Sequence, residues 1–168
     1  MTTSQFGGLH GDALTRAQQY VLSARDTIKG TSCPCCGQKC KTYRRTITST
    51  MAVWLIALVR RYEVEPRYYS TSEDWSLAIN KGTGDVAKLR YWGLTLARPH
   101  EKKDTIRRTS GLWMPTRDGI LWAHGKISIV SHVLVFNNKV LEPSGELLTI
   151  GEALGTKFDY QKLMEGTL

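Results

Sequence analysis

Apolar positions recur at helical spacing in two long stretches of the chain. In the first, Leu14, Ala17, Val21, Ala24 and Ile28 fall three or four residues apart and make a narrow, alanine-rich stripe. Asp12 is placed to cap this helix and Gly30 to stop it just after Lys29, while residues 1–11, rich in Gly, Ser and Thr, read as a loose tail. So thin a stripe packs on the rest of the chain or pairs with a second copy of itself. In the second stretch, Ile47, Met51, Trp54, Leu55, Leu58, Val59 and Tyr62 form a broad apolar face. This helix begins near Thr46 or Thr48 and ends at Glu65-Pro66, and it is the clearest core helix in the sequence.

Shorter elements follow. Ser72 caps a helix from Glu73 to about Asn80, Lys81-Gly82-Thr83-Gly84 is a turn, and a third helix runs from Asp85 to Trp92, burying Val86 and Leu89. Gly93 stops it, and Leu94-Thr95-Leu96 leaves as a strand. A charged excursion from Arg98 to Ser110 separates that strand from a returning one at Leu112 to Met114, and Thr116 to Ala123 is another short helix. Lys126 to Phe136, Asn137-Asn138 and Lys139 to Leu141 read as a β-hairpin with a two-residue turn. Thr149 with Glu152 is a capping box opening a C-terminal helix, and Asp159 caps a last turn of helix. Trp54, Leu55, Leu58, Val86, Leu89 and Trp113 are expected to share one core.

At 168 residues, with 41% apolar and 23% charged side chains, the chain is long enough for one domain, or one domain with a small appendage, and apolar enough to bury a core. The longest apolar run, Met51 to Val59, is too short to span a bilayer, and no basic stretch followed by an apolar segment marks a signal peptide. All four cysteines lie between Cys33 and Cys40, where they staple nothing distant, so a secreted disulfide scaffold is not expected. These features describe a basic cytoplasmic protein with no membrane partner. Its net charge of +8 is uneven: residues 1–61 carry +7, residues 62–108 carry +2 and residues 109–168 carry −1. A polyanion is the natural partner for the first two thirds.

The order helix, helix, turn, helix, strand, charged loop, strand is that of a winged helix, in which the third helix enters the major groove and the hairpin wing reaches the backbone or minor groove. The detail resembles MarR-type winged-helix repressors: Leu89, then Gly93-Leu94 closing the third helix, then Arg98, Asp104 and Arg107 in the wing, and Thr116 and Gly119 opening the next helix. By that resemblance Arg107, with Arg108, is the DNA-contacting tip of the wing. The third helix itself offers Lys88 and Tyr91, with Lys81 and Thr83 just before it, and Asp85 at its start repels phosphate. That is a thin set for reading bases, so phosphate contacts are expected to dominate. They come from Lys39, Lys41, Arg44 and Arg45 ahead of the core helix and from Lys102, Lys103, Arg107 and Arg108 in the wing.

Cys33-Pro34-Cys35-Cys36-Gly37 has the CPxCG form of a zinc knuckle, in which a tight turn aims two sulfurs three residues apart at one ion. Cys33 and Cys36 are the first two expected ligands of a structural Zn2+ and Cys40 the third. Cys35 is the poorer choice, because neighbouring residues rarely ligate one ion. His100, His124 and His132 compete for the fourth position.

From Cys33 to Leu168 the chain resembles a family of proteins encoded by tailed phages and prophages. The residues that carry the likeness are Cys33-Pro34-x-Cys36-Gly37-Gln38, Tyr43-Arg44-Arg45, the helix around Met51, the block from Gly84 to Leu94, and the closing Glu152-Ala153-Leu154-Gly155-x-Lys157-Phe158-Asp159-Tyr160. The chain departs from that family in its cysteines Cys35 and Cys40. The resemblance implies expression in a bacterial host cytoplasm during infection. No paired carboxylates, phosphate-cradling loop or nucleophile–base spacing stands out, so an enzyme is not expected. The expected fold is α+β: an N-terminal tail and helix over 1–30, a cysteine knuckle and basic stretch over 31–45, a winged helix-turn-helix core over 46–124, and a C-terminal hairpin and helix over 125–168. The expected function is a non-catalytic, phage-encoded protein that binds double-stranded DNA and regulates transcription, with homodimerisation through the N-terminal helix. The alternative is an interaction protein that inhibits a host enzyme or defence complex.

Overall fold

Helix α2 (Ser49–Val64) organises the larger part of the fold. The computed structural model describes residues 6–26, 29–70, 87–99 and 111–167, and in them the fold is α+β. Thr48 caps α2, its hydroxyl accepting from the Met51 amide at 3.3 Å, and the Glu65 amide closes the last turn on the Arg61 carbonyl at 2.9 Å before Pro66. The expected face Met51, Trp54, Leu55, Leu58 and Val59 is buried, and so are Ala52, Val53 and Ile56 between them. The helix is therefore enclosed on every side through its first half rather than on one face.

Two compact units divide the chain. Met1–Arg44 with Leu134–Leu141 form the smaller, and Arg45–Val133 with Glu142–Leu168 form the larger. In the larger unit, β4 (Tyr69–Ser70), β5 (Thr95–Ala97) and β6 (Leu112–Pro115) make an antiparallel sheet of order β4–β6–β5, with Tyr69 opposite Trp113 and Leu96 opposite Met114. Helix α3 (Arg117–Ala123) follows at once, capped by the Thr116 hydroxyl on the Gly119 amide at 3.0 Å. Thr116 also donates to the Gly93 carbonyl at 2.6 Å. Gly119 has to be glycine, because a Cβ there would collide with the Leu94 carbonyl oxygen.

The expected third helix, Asp85 to Trp92, is described only at its end, where Leu89–Trp92 form a 3-10 turn; Val86 and the helix expected after Ser72 lie outside the described residues. Gly93 stops the turn in the left-handed region (φ 70), its amide bonding the Arg90 carbonyl while the Leu94 amide reaches Leu89. Leu89 and Leu94 are both fully buried in the core around α2, which also takes Trp122, Ile150, Leu154 and Leu163. Trp113 is buried on β6 but does not join that cluster, contrary to expectation. On β6 it stands between Tyr69 and Ala97.

Strands β7 (Ile129–Phe136) and β8 (Lys139–Leu148) form the expected hairpin, turning through Asn137 (φ 46) and Asn138 (φ 61), the positive pair a type I′ turn requires. With β3 (Tyr43–Thr46) they give the order β3–β7–β8. β8 runs on past Leu141, the expected end, to Leu148. It is an edge strand, where Pro143 is tolerated. Helices α4 (Ile150–Leu154) and α5 (Tyr160–Glu165) close the chain, the first on the expected Thr149–Glu152 capping box and the second on Asp159, whose carboxylate accepts from the Gln161 and Lys162 amides. In the smaller unit, α1 (Phe6–Ala24) begins upstream of Asp12 and ends short of Lys29. Asp12 is thus an interior residue whose carbonyl accepts from Arg16 Nε at 3.3 Å. The helix ends early because the next two residues bond Thr42: the Arg25 carbonyl takes its amide at 3.0 Å and the Asp26 carboxylate its hydroxyl at 2.8 Å. Ala17 is buried, but Leu14, expected on the same stripe, is 53% exposed. Among the described residues no helix is long and apolar enough to cross a membrane.

Two expectations follow. Leu89→Ala empties a fully buried site under α2 and should lower unfolding free energy by about 2–5 kcal/mol in a denaturant titration; an unchanged midpoint would contradict the seating of Leu89. The Thr149 amide, and then its hydroxyl, hold the Glu152 carboxyl below its ordinary value. That stabilisation is present in full above the ordinary carboxylate range and is lost as pH falls through the lowered value. Thr149→Ala should flatten the acid limb of a melting-temperature-versus-pH curve, whereas Thr156→Ala, in the 3-10 turn beyond α4, should leave its slope as it was.

Candidate functional site

The cysteine segment is built by a close crossing of backbone. Gly30 (φ 67) lies so near Cys40 and Lys41 that a Cβ would collide with the Lys41 Cβ, and only glycine fits there. The chain leaves as β1 (Thr31–Ser32) and returns antiparallel as β2 (Lys39–Cys40), with Thr31 opposite Cys40 and Ser32 opposite Lys39. At the tip, the Cys33 amide donates to the Gln38 carbonyl and the Gly37 amide to the Cys33 carbonyl, each at 2.8 Å. Proline at position 34 suits this turn, since the amide it lacks is not among the bonded ones.

The turn sets Cys35 and Cys36 within hydrogen-bonding reach of Cys33. The amides of Cys35 and Cys36 hydrogen-bond the Cys33 sulfur and, with the Cys36 thiol, hold Cys33 below the ordinary cysteine value. Cys35 is pushed up, first by lost hydration and then by the charge that develops on Cys33. The Cys40 thiol instead donates to the Gln38 carbonyl at 3.4 Å. All four cysteines are free thiols, Cys35 and Cys36 exposed and Cys33 and Cys40 half-buried. A thiolate favoured by two amides, with a second thiol three residues on, matches two corners of a tetrahedral zinc site. Among the described residues, no three His, Cys, Asp or Glu side chains are grouped to hold a metal ion. Of the histidines considered for the fourth corner, His124 Nε2 is 2.6 Å from the Glu63 carboxylate and His132 Nδ1 is 3.2 Å from the Ser131 hydroxyl, both within the larger unit; His100 lies outside the described residues.

The expected DNA-contacting residues are distributed over both units. In the smaller, Lys41 sits with its ammonium 4.9 Å from the Tyr43 ring centre and Arg44 is exposed. In the larger, Arg45 is half-buried with its Nε enclosed, Lys88 precedes the 3-10 turn, and Tyr91 lies in it. Lys81, Thr83, Lys102, Lys103, Arg107 and Arg108 lie outside the described residues. Arg90, which helical spacing did not select, is brought onto Tyr91: its guanidinium is 5.1 Å from the ring centre and 3.4 Å from the hydroxyl. Neighbouring side chains on a helical turn do not ordinarily face one another, so residue spacing carries no signal for this pair.

The thiol chemistry gives a direct expectation. Brief alkylation with iodoacetamide at neutral pH should modify Cys33 ahead of Cys35, read by peptide mass spectrometry, and equal labelling would contradict the amide–sulfur geometry. No protein-family model, no curated protein and no solved structure matches the chain.

Proposed function

We propose that this is a non-catalytic, phage-encoded winged-helix protein that binds double-stranded DNA and regulates transcription in the host cytoplasm. The observation that carries the reading is the sheet order β4–β6–β5. Two antiparallel strands, β5 and β6, flank the charged segment that holds Lys102, Lys103, Arg107 and Arg108, as the two strands of a wing do. The third strand, β4, comes directly after the core helix and pairs on the far side of β6. Leu89, fully buried, seats the end of the helix that would enter the groove. With Lys88 and Tyr91 the only expected base-facing residues at that end, affinity comes chiefly from phosphates.

In this reading the knuckle is structural. Cys33 and Cys36 hold Zn2+ and Cys40 is the third ligand, so that the ion braces the loop carrying Lys41 and Arg44. Helix α1, which exposes Leu14, Tyr20 and Leu22, makes the contact between two copies. The same exposed residues favour the second reading, in which α1 docks on a host enzyme or defence complex.

Duplex DNA titrated at two salt concentrations tests the proposal. Arg107→Ala with Arg108→Ala should weaken binding to all duplexes alike and lower the salt slope by about one unit for each phosphate no longer neutralised. Unchanged affinity at both salts removes DNA as the partner of the wing. Metal analysis of the purified chain should find zinc that Cys33→Ser with Cys36→Ser abolishes; a zinc-free protein whose melting is indifferent to chelator ends the structural-metal reading.

A further inference from the structure

The smaller unit carries an exposed aromatic ring with a cation beside it. From Thr27 to Arg44 the chain has the basic residues Lys29, Lys39, Lys41 and Arg44 and no carboxylate. Within this run Tyr43 is 40% exposed, and the Lys41 ammonium stands 4.9 Å from the centre of its ring. That contact brings residues 41 and 43 together between β2 and β3, with Lys41 half-buried, and Lys39 opens β2 two residues earlier. Lys39, Lys29 and Arg44 are exposed. The second cation–ring pair of this unit, Arg25 over Phe136 at 5.3 Å, differs in that its ring is half-buried.

We infer that Tyr43, with Lys39 and Lys41, is a binding site for single-stranded nucleic acid, the ring stacking an unpaired base and the ammonium groups taking the flanking phosphates. A flat exposed ring gains most from a base whose face is open, and the bases of a duplex already stack on one another. A base arriving on the ring takes the place of the Lys41 ammonium, which then lies beside the phosphate of the same nucleotide. The site uses residues of the smaller unit alone, so it stands or falls independently of the winged-helix reading.

The test is fluorescence anisotropy of the full chain with labelled oligothymidylate, oligouridylate, an abasic strand of the same length and a duplex of that length. Tyr43→Phe should bind the oligothymidylate or oligouridylate as the parent does. Tyr43→Leu should bind it about fivefold or more weakly, with its salt slope and melting temperature unchanged. The abasic strand should not distinguish the two variants. Lys39→Gln with Lys41→Gln should instead lower the salt slope, by about 0.7 for each phosphate that an ammonium group no longer neutralises. The tighter of the two base-bearing strands shows whether the thymine–deoxyribose or the uracil–ribose strand is preferred. The inference is overturned if the parent protein binds the abasic strand as tightly as the base-bearing ones. It is overturned equally if Tyr43→Leu binds unchanged, if the duplex shows the same dependence on Tyr43, or if a polyglutamate peptide displaces oligothymidylate from parent and Tyr43→Leu alike, which would make the patch a dock for an acidic protein.

Discussion

Everything in the larger unit answers to one constraint: a helix apolar all round has to be covered all round. From Met51 to Ile56 every side chain of α2 is buried. One layer of structure shields one side of a cylinder, so cover has to arrive from several parts of the chain. It comes from β6 and α3 in the middle of the sequence and from α4 and α5 at its end. Each fully buried side chain of this kind contributes about 1.5–3 kcal/mol, which makes α2 the element whose exposure would cost most. The C-terminal helices, short and individually unstable in water, persist because Ile150, Leu154 and Leu163 reach this core.

Aromatic side chains tie that cover together. Trp92 Nε1 donates to the Val130 carbonyl at 2.8 Å, Trp122 Nε1 to Leu148 at 3.0 Å and the Tyr160 hydroxyl to Ala123 at 3.0 Å. The Tyr69 hydroxyl lies within reach of two carbonyls at the end of α2, those of Arg61 and Glu65. Each ring supplies apolar surface to the interior and one directed bond to a backbone oxygen of another element. Burial alone is indifferent to small sliding movements. A donor fixed on a rigid ring is not, so these bonds set where the base of the hairpin and the C-terminal helices stand on α2.

What the sequence made legible was local. Thr48, Thr116, Thr149 and Asp159 announce helix starts because a cap acts within three residues, and Asn137-Asn138 announces the hairpin for the same reason. The turn of the cysteine knuckle was legible too, since proline and glycine fix it over five positions. What escaped depends on distant partners. The end of α1 is decided by Thr42, sixteen residues beyond Asp26. The second strand of the hairpin, expected to end at Leu141, runs on through Pro143 and Gly145 to Leu148. Ala52, Val53 and Ile56 lay off the apolar stripe and are buried because cover arrives from elsewhere. Of the candidate site, the cysteines and the basic run were visible as residue types, whereas the amide bonds to Cys33 and the approach of Arg90 to Tyr91 belong to backbone geometry that spacing does not reveal.

The hairpin has a consequence for how this protein can change over generations. Its tip, Leu134–Leu141, belongs to the unit that also contains the N-terminal helix and the knuckle, while the flanking parts of both strands belong to the other. The chain therefore passes between the units after Arg44, after Val133 and again after Leu141. A recombination event with a single crossover near Arg44 would transplant helix and knuckle without the eight residues that complete their unit, and would leave those residues behind in the recipient. The knuckle unit is thus not a cassette that can be exchanged at one junction. Its residues and those of the hairpin tip have to be inherited together, although most of the larger unit's sequence lies between them.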